Sequence, residues 1–306
     1  MRFFRLAALF IVGLGMLSAC NQPALDSSST WQQWGTLESE SLDEISGLAR
    51  SLRNPTLFWG HNDSGNGAYV YAFNQQGLHQ GRLNLIGVGN RDWEDMASFH
   101  WQGQAWLLLA DVGDNQSQHP ELRLQLVGEP QIKKTGASVR RAPKASYRFV
   151  YPDGPRDSES IAVDISETSV YILSKRDVPA RLYRLPLSLE DNGQTQTAEF
   201  LGTVPQIPQP SIIERVHASP HGRWSAQPTA FDFAPDRSSA AVLTYKSVFI
   251  FPRTGDQTWA EALAAQPIEY PLPRLKQAES LVYVSPNEVL VSSEKHPAPL
   301  WLLTFP

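Results

Sequence analysis

The 306-residue chain has a single cysteine, Cys20, so no disulfide within it can support a fold. Paired Cys and His with zinc-ligand spacing are also missing. Basic residues do not prevail: 26 Lys and Arg stand against 31 Asp and Glu, a formal net charge of −5. No basic stripe is present, which argues against nucleic acid as a partner. Helical periodicity is confined to a short stretch around Thr258 to Ala265. Long apolar runs are missing beyond Leu6 to Leu17, which follows Arg2 and Arg5. That run is too short to span a bilayer as a helix, and it has the length of a signal-peptide core.

The run ends in Leu17-Ser18-Ala19-Cys20, which resembles the lipobox of bacterial lipoproteins, where the cysteine is acylated. The resemblance implies a signal peptide over 1–19 and a lipidated Cys20 on a polar tether reaching residue 30. It also implies export across the inner membrane and anchoring in the cell envelope. Asn21 in place of Asp points to the outer membrane. An ordinary signal peptide is the alternative. Residues 31–306 then form one domain, which must build its own core and is long enough to do so.

What the chain has in quantity is strand signal. Nine Trp and 23 Pro accompany short β-branched and aromatic runs bounded by turn residues, such as Tyr69 to Phe73 and Ala105 to Ala110. Five segments share one form: Ser46-Gly47-Leu48-Ala49, Glu94-Asp95-Met96-Ala97, Glu159-Ser160-Ile161-Ala162, Thr229-Ala230-Phe231-Asp232 and Glu279-Ser280-Leu281-Val282. Each is followed by a second and a third apolar strand, and four also by a fourth. Trp31 to Leu37 is left over at the front and can complete the last unit, closing the circle without an open edge. Repeats of about 50 residues suit propeller blades. Two intervals are longer, and polar or proline-rich inserts at 128–144 and 205–227 account for them. The expected fold is all-β: a five-bladed propeller of four-stranded blades, closed by pairing of N- and C-terminal strands. A sixth, degenerate blade hidden in 205–227 is the alternative.

In a propeller the first strand of each blade lines the axial channel. Ser46, Glu94, Glu159, Thr229 and Glu279 would then converge on one axis. Three facing carboxylates need paired cations or a bound metal, because burying them bare is costly. Carboxylate and hydroxyl oxygens suit Ca2+, which tolerates irregular shells. Hydrogen bonds to loop amides at blade junctions are the other use for these side chains.

The order Ser, Glu, Glu, hydroxyl residue, Glu resembles the axial calcium shell of the soluble calcium-activated nucleotidases, or apyrases, whose fold is a five-bladed propeller. Ile45-Ser46-Gly47-Leu48 and His61-Asn62-Asp63-Ser64-Gly65 are similar to motifs of that family. Leu109 to Asn115 and Ser174-Lys175-Arg176 fall where the family carries other turns. Two basic residues of the family are replaced here by Asp63 and Asp114, which removes charge that would face phosphate. A second resemblance spans residues 44–295. Bacterial envelope propellers of unassigned activity share His-Asn-Asp-Ser-Gly, Asp-Trp-Glu-Asp, Gly-Asp-Asn and the Pro152 to Ser160 segment.

The second strand of each blade ends in a polar cluster: His61-Asn62-Asp63, Asp111 with Asp114-Asn115, Lys175-Arg176-Asp177, Tyr245-Lys246 and Glu294-Lys295. These place binding groups on one rim. Two functions follow. One is a calcium-pinned module in the cell envelope that binds a small ligand or a partner protein. The other is a calcium-dependent phosphohydrolase or esterase, with Asp63 or Asp111 as general base and Lys175, Arg176 or Lys246 stabilising developing charge. His61 reads as a loop residue able to orient Asp63.

Overall fold

The computed structural model describes residues 29–191, 193–217 and 222–306. The expected signal peptide, Cys20 and nearly all of the expected tether lie outside the described residues. The described part is a five-bladed β-propeller. Blade 1 holds β2 (Ile45–Arg50), β3 (Leu57–Asn62), β4 (Tyr69–Asn74) and β5 (His79–Leu85). Blade 2 holds β6 (Trp93–Trp101), β7 (Gln104–Asp111), β8 (Leu122–Gly128) and β10 (Ala145–Val150). Blade 3 holds β11 (Ser158–Asp164), β12 (Ser169–Ser174), β13 (Ala180–Pro186) and β15 (Glu199–Val204). Blade 4 holds β16 (Pro228–Phe233), β17 (Ser239–Thr244), β18 (Ser247–Pro252) and β19 (Ile268–Pro271).

Blade 5 holds β20 (Ala278–Ser285), β21 (Glu288–Ser293), β22 (Ala298–Thr304) and, as its outer strand, β1 (Thr30–Leu37). β1 lies antiparallel to β22, with Thr30 opposite Thr304 and Leu37 opposite Ala298. The first strand of the fold therefore completes its last sheet.

Two blades depart from the four-stranded expectation. β9 (Ala137–Arg141), from the 128–144 insert of blade 2, joins the outer edge of blade 1 parallel to β5. β14 (Thr195–Thr197), from blade 3, joins blade 2 parallel to β10. Each covers an edge that would otherwise present unpaired backbone. Among its described residues the proline-rich insert carries no blade strand: it forms helix α1 (Ile212–His217) and a 3-10 turn at Gly222–Trp224. The expected helix is α2 (Trp259–Ala264), started by a capping box between Thr258 and Glu261.

Strand alternation builds the core between blades. In β7, Leu107 and Leu109 pack with Trp59, Val70 and Leu83 of blade 1. Their neighbours Trp106, Leu108 and Ala110 pack with Ile161 and Ile172 of blade 3. Similar apolar clusters join blades 3 and 4, 4 and 5, and 5 and 1. Both faces of each sheet are thus buried, which is why β3, β12 and β17 are buried at every residue.

Candidate metal centre at the channel mouth

The inner strands β2, β6, β11, β16 and β20 all break register with their partners near their first residues. The skipped residues are Ser46, Glu94, Glu159, Thr229 and Glu279 in turn. Each of the five ring positions is therefore a β-bulge. A bulged residue leaves the ladder and its side chain is re-aimed. The same local device, repeated around the axis, releases five side chains from the alternation that would bury them between blades.

The ring residues are placed unequally. Glu94 and Glu159 meet: with Asp157 they offer carboxylate oxygens all within 4.8 Å of one another. Glu279 stands outside that group and accepts a 2.6 Å hydrogen bond from the Tyr245 hydroxyl. The Ser46 hydroxyl donates to the Glu94 carbonyl at 2.7 Å, and the Thr229 hydroxyl donates to the Ala278 carbonyl at 2.7 Å. These two bonds stitch blade 1 to blade 2 and blade 4 to blade 5. They use the hydroxyl protons and leave oxygen lone pairs for other use.

Charge is unevenly paired. Lys175, 7% exposed, forms an ion pair with Glu159 and lies 5.6 Å from the centroid of the Tyr245 ring. Burial works against its charge, but Glu159, Tyr245 and Glu279 outweigh burial and hold its pKa above the ordinary lysine value. Arg176 donates to Asp157 at 2.7 Å and also bonds Asn115. Glu94, 4% exposed, has no hydrogen bond or ion pair through its carboxylate among the described residues. Burial, then the charges of Glu159 and Asp63, push its pKa well above the ordinary range, with Lys175 opposing. Burial first, then neighbouring carboxylates, raise Asp92 to about 6, and Glu159 to about 8 despite Lys175. Glu294 reaches about 9 through burial and its contact with Glu279.

The second-strand clusters do open on this mouth, because β3, β7, β12, β17 and β21 end where the inner strands begin. Their side chains differ from expectation in several ways. Asp63 joins Asp92 and Glu94 in a second group of carboxylates within 4.8 Å. Asp111, 4% exposed, accepts the Asp92 N–H at 3.0 Å and lies 3.7 Å from Arg91, so it holds the loop rather than facing the channel. Lys246 turns outward to Glu214 of α1, at 2.7 Å. His61 is no loop residue: it is the fifth residue of β3, fully buried, edge-on to Trp93 at 5.5 Å. Burial lowers its pKa to about 4, so it is neutral and cannot orient Asp63 as a cation.

Sequence reasoning missed Asp92 and Asp157 as members of the centre. The signal was present, since both stand two residues before a ring glutamate, in Asp92-Trp93-Glu94 and Asp157-Ser158-Glu159. It also missed Asp95, one residue beyond the bulge. Its carboxylate accepts the N–H of Ile161 and of Met96, both at 2.8 Å, tying blade 2 to blade 3. Asp232 likewise accepts from Tyr283 and Phe233, both at 2.9 Å.

Fold and site together define a five-bladed propeller with a carboxylate-rich channel mouth. No protein-family model and no curated protein matches the chain. Among solved structures, the chain is similar to the PQQ-bound form of the aldose sugar dehydrogenase Adh from Streptomyces coelicolor. The identity is 11%, the match covers 90% of this chain and 98% of that one, and the TM-score is 0.49. A likeness that weak says nothing about the chemistry of this mouth.

Proposed function

We propose that the chain is an envelope lipoprotein whose propeller holds Ca2+ at the channel mouth and uses that mouth to bind a small ligand or a partner protein. One observation carries the reading: Glu94 is a buried residue whose carboxylate, among the described residues, has no hydrogen bond or ion pair and is set among further carboxylates. An ionised group so placed is costly unless a cation joins it. The donor set fits calcium, being carboxylate and hydroxyl oxygen throughout. Ser46, Glu94, Glu159, Thr229 and Glu279 would hold the ion, with Lys175 as resident counter-charge beside it. The lipobox-like Leu17 to Cys20 supports the anchor.

A calcium-dependent phosphohydrolase or esterase is the second reading, and Asp92 favours it. It is a partly buried carboxylate beside Glu94, placed to take a proton from water at the mouth. Bound calcium would supply Lewis acidity toward a phosphoryl or carbonyl oxygen. Arg176 is 41% exposed through its side chain and can meet an anionic group at the rim.

The test is a thermal melt of the full chain in chelator and in calcium, beside a screen of nucleotide, phosphoester and ester hydrolysis. A calcium-dependent rise in melting temperature without turnover supports the module. Turnover lost in Asp92→Asn supports the enzyme. No response to calcium at all removes both.

A further inference from the structure

Glu94 belongs to two carboxylate groups, and the two differ in charge balance. Toward the axis it meets Asp157 and Glu159, and there each partner already has a cation, Arg176 and Lys175 respectively. To the side it meets Asp63 and Asp92. Among the described residues none of those three carboxylates takes part in an ion pair. Asp63 accepts its neighbour's N–H, from Ser64 at 2.5 Å, and Ser64 also reaches Asp92. Glu94 itself is 4% exposed, and among the described residues its carboxylate takes no hydrogen bond. This buried acceptor, turned toward two further carboxylates, marks the side group as the less compensated of the two.

The backbone around that group is shaped to it. Gly113 lies against it so closely that a Cβ would overlap Glu94 Oε1 and Asp92 Oδ2. The Gly113 N–H donates to the Asp92 carbonyl at 3.2 Å. The Asn90 side chain bridges the blades: its amide donates to the carbonyls of Asp63 at 2.9 Å and Asn62 at 3.2 Å, and its oxygen accepts the Trp93 N–H at 3.0 Å. Asp111 fixes the Asp92 N–H. Loops of blades 1 and 2 are thereby tied so that Asp63, Asp92 and Glu94 converge. Asp63 and Asp92 are only partly buried, which leaves a path from solvent.

We propose that Asp63, Asp92 and Glu94 form a second seat for a hard divalent cation, beside the axial ring and sharing Glu94 with it. It rests on the preceding reading only for the axial ion. Three carboxylate oxygens and an open outer side suit Ca2+, which completes its shell with water or with an oxygen of a bound anion. A pair of ions bridged by Glu94 would then offer an anionic ligand two adjacent points of attachment.

Calorimetric titration of the chelator-treated full chain in detergent with Ca2+ tests this. Two ions are expected in the unaltered chain. Asp63→Asn and Asp92→Asn should each weaken one of them by about tenfold or more and leave the other. Glu279→Gln should do the reverse, and Glu94→Gln should weaken both. One ion that survives Asp63→Asn with Asp92→Asn overturns the side seat and leaves the axial reading standing. One ion that is lost in that pair but kept in Glu279→Gln supports the side seat and removes the axial one. No bound ion overturns both. Melting in chelator separates binding from folding, because removing one negative charge from a group of facing carboxylates should not lower the melting temperature.

Discussion

Glu94→Gln has opposite expected effects with and without calcium. In chelator at pH 7 the folded chain must keep Glu94 as a buried anion or hold a proton on it. Burial and the neighbouring Glu159 and Asp63 raise its pKa well above the ordinary 4.5. Holding the proton costs no more than the distance from 4.5 to the assay pH, which is about 3 kcal/mol. Gln has nearly the same shape and no proton to hold, and among the described residues the carboxylate has no hydrogen bond to lose. The variant should therefore be more stable by about 1–3 kcal/mol, or about 2–6 °C in melting temperature for a domain of this size. In calcium the order reverses. An ion at 100 times its Kd stabilises the unaltered chain by about 2.7 kcal/mol, and the variant gains little of that. Differential scanning calorimetry in chelator and in calcium reads both. A variant that melts below the unaltered chain in chelator would refute the reasoning, since the carboxylate would then be making a contact the fold needs. Equal gains from calcium in both proteins would show that the ion does not touch Glu94.

Three further outcomes follow from the same geometry. Burial above all raises Asp92 to about 6, Asp232 to about 7, Glu159 to about 8 and Glu294 to about 9. The unfolded chain releases those protons near 3.8 to 4.5, so these groups favour the folded state most at low pH and lose that effect as pH rises toward 9. A melting temperature in chelator that stays flat or climbs between pH 5 and 9 would count against them. Lys175→Met strips the counter-charge from Glu159 and should cost about 3–5 kcal/mol by urea unfolding in chelator, with part recovered in calcium. An identical loss in both conditions would deny that lysine and ion share the same carboxylates. Gly47→Ala would drive a Cβ into the buried His61 ring, at a cost of about 2 kcal/mol or more, whereas Gly89→Ala meets nothing and should be neutral. Similar unfolding midpoints for the two would show that β2 can shift away.

The ring was legible because a bulge keeps its own signature. The residue it releases is small or acidic, and the apolar run resumes directly after it, as in Glu94-Asp95-Met96 and Glu159-Ser160-Ile161. Blade count was legible for the same reason, and β1 was assigned by the lack of any other partner. Side-chain pairing was not legible. Which cation answers which carboxylate depends on blade-to-blade geometry, so Lys175 reaching Glu159 and Lys246 turning to Glu214 look alike in sequence. His61 misled because a polar residue before Asn62-Asp63 resembles loop sequence. Its partners, Gly47 and Trp93, sit on neighbouring inner strands far away in the chain. The added strands β9 and β14 come from polar segments and pair with a neighbouring blade's edge, and local patterning carries no trace of that partner.

Strand direction gives the mouth an orientation. Leu37 lies opposite Ala298, which follows the Glu294-Lys295 cluster of the mouth, and Thr30 lies opposite Thr304 at the far end. The chain therefore enters the propeller from the face away from the carboxylates. If Cys20 carries the proposed lipid, the tether from Asn21 to Thr30 reaches at most about 35 Å. The bilayer then lies toward the far face, and the acidic mouth points into solvent. Calcium affinity of the lipidated chain in vesicles should match that in detergent, and adding anionic lipid should shift it little, because surface potential fades within a Debye length. Calcium binding that weakens severalfold on anchoring, or strengthens sharply with anionic lipid, would place the mouth against the membrane and reverse this orientation.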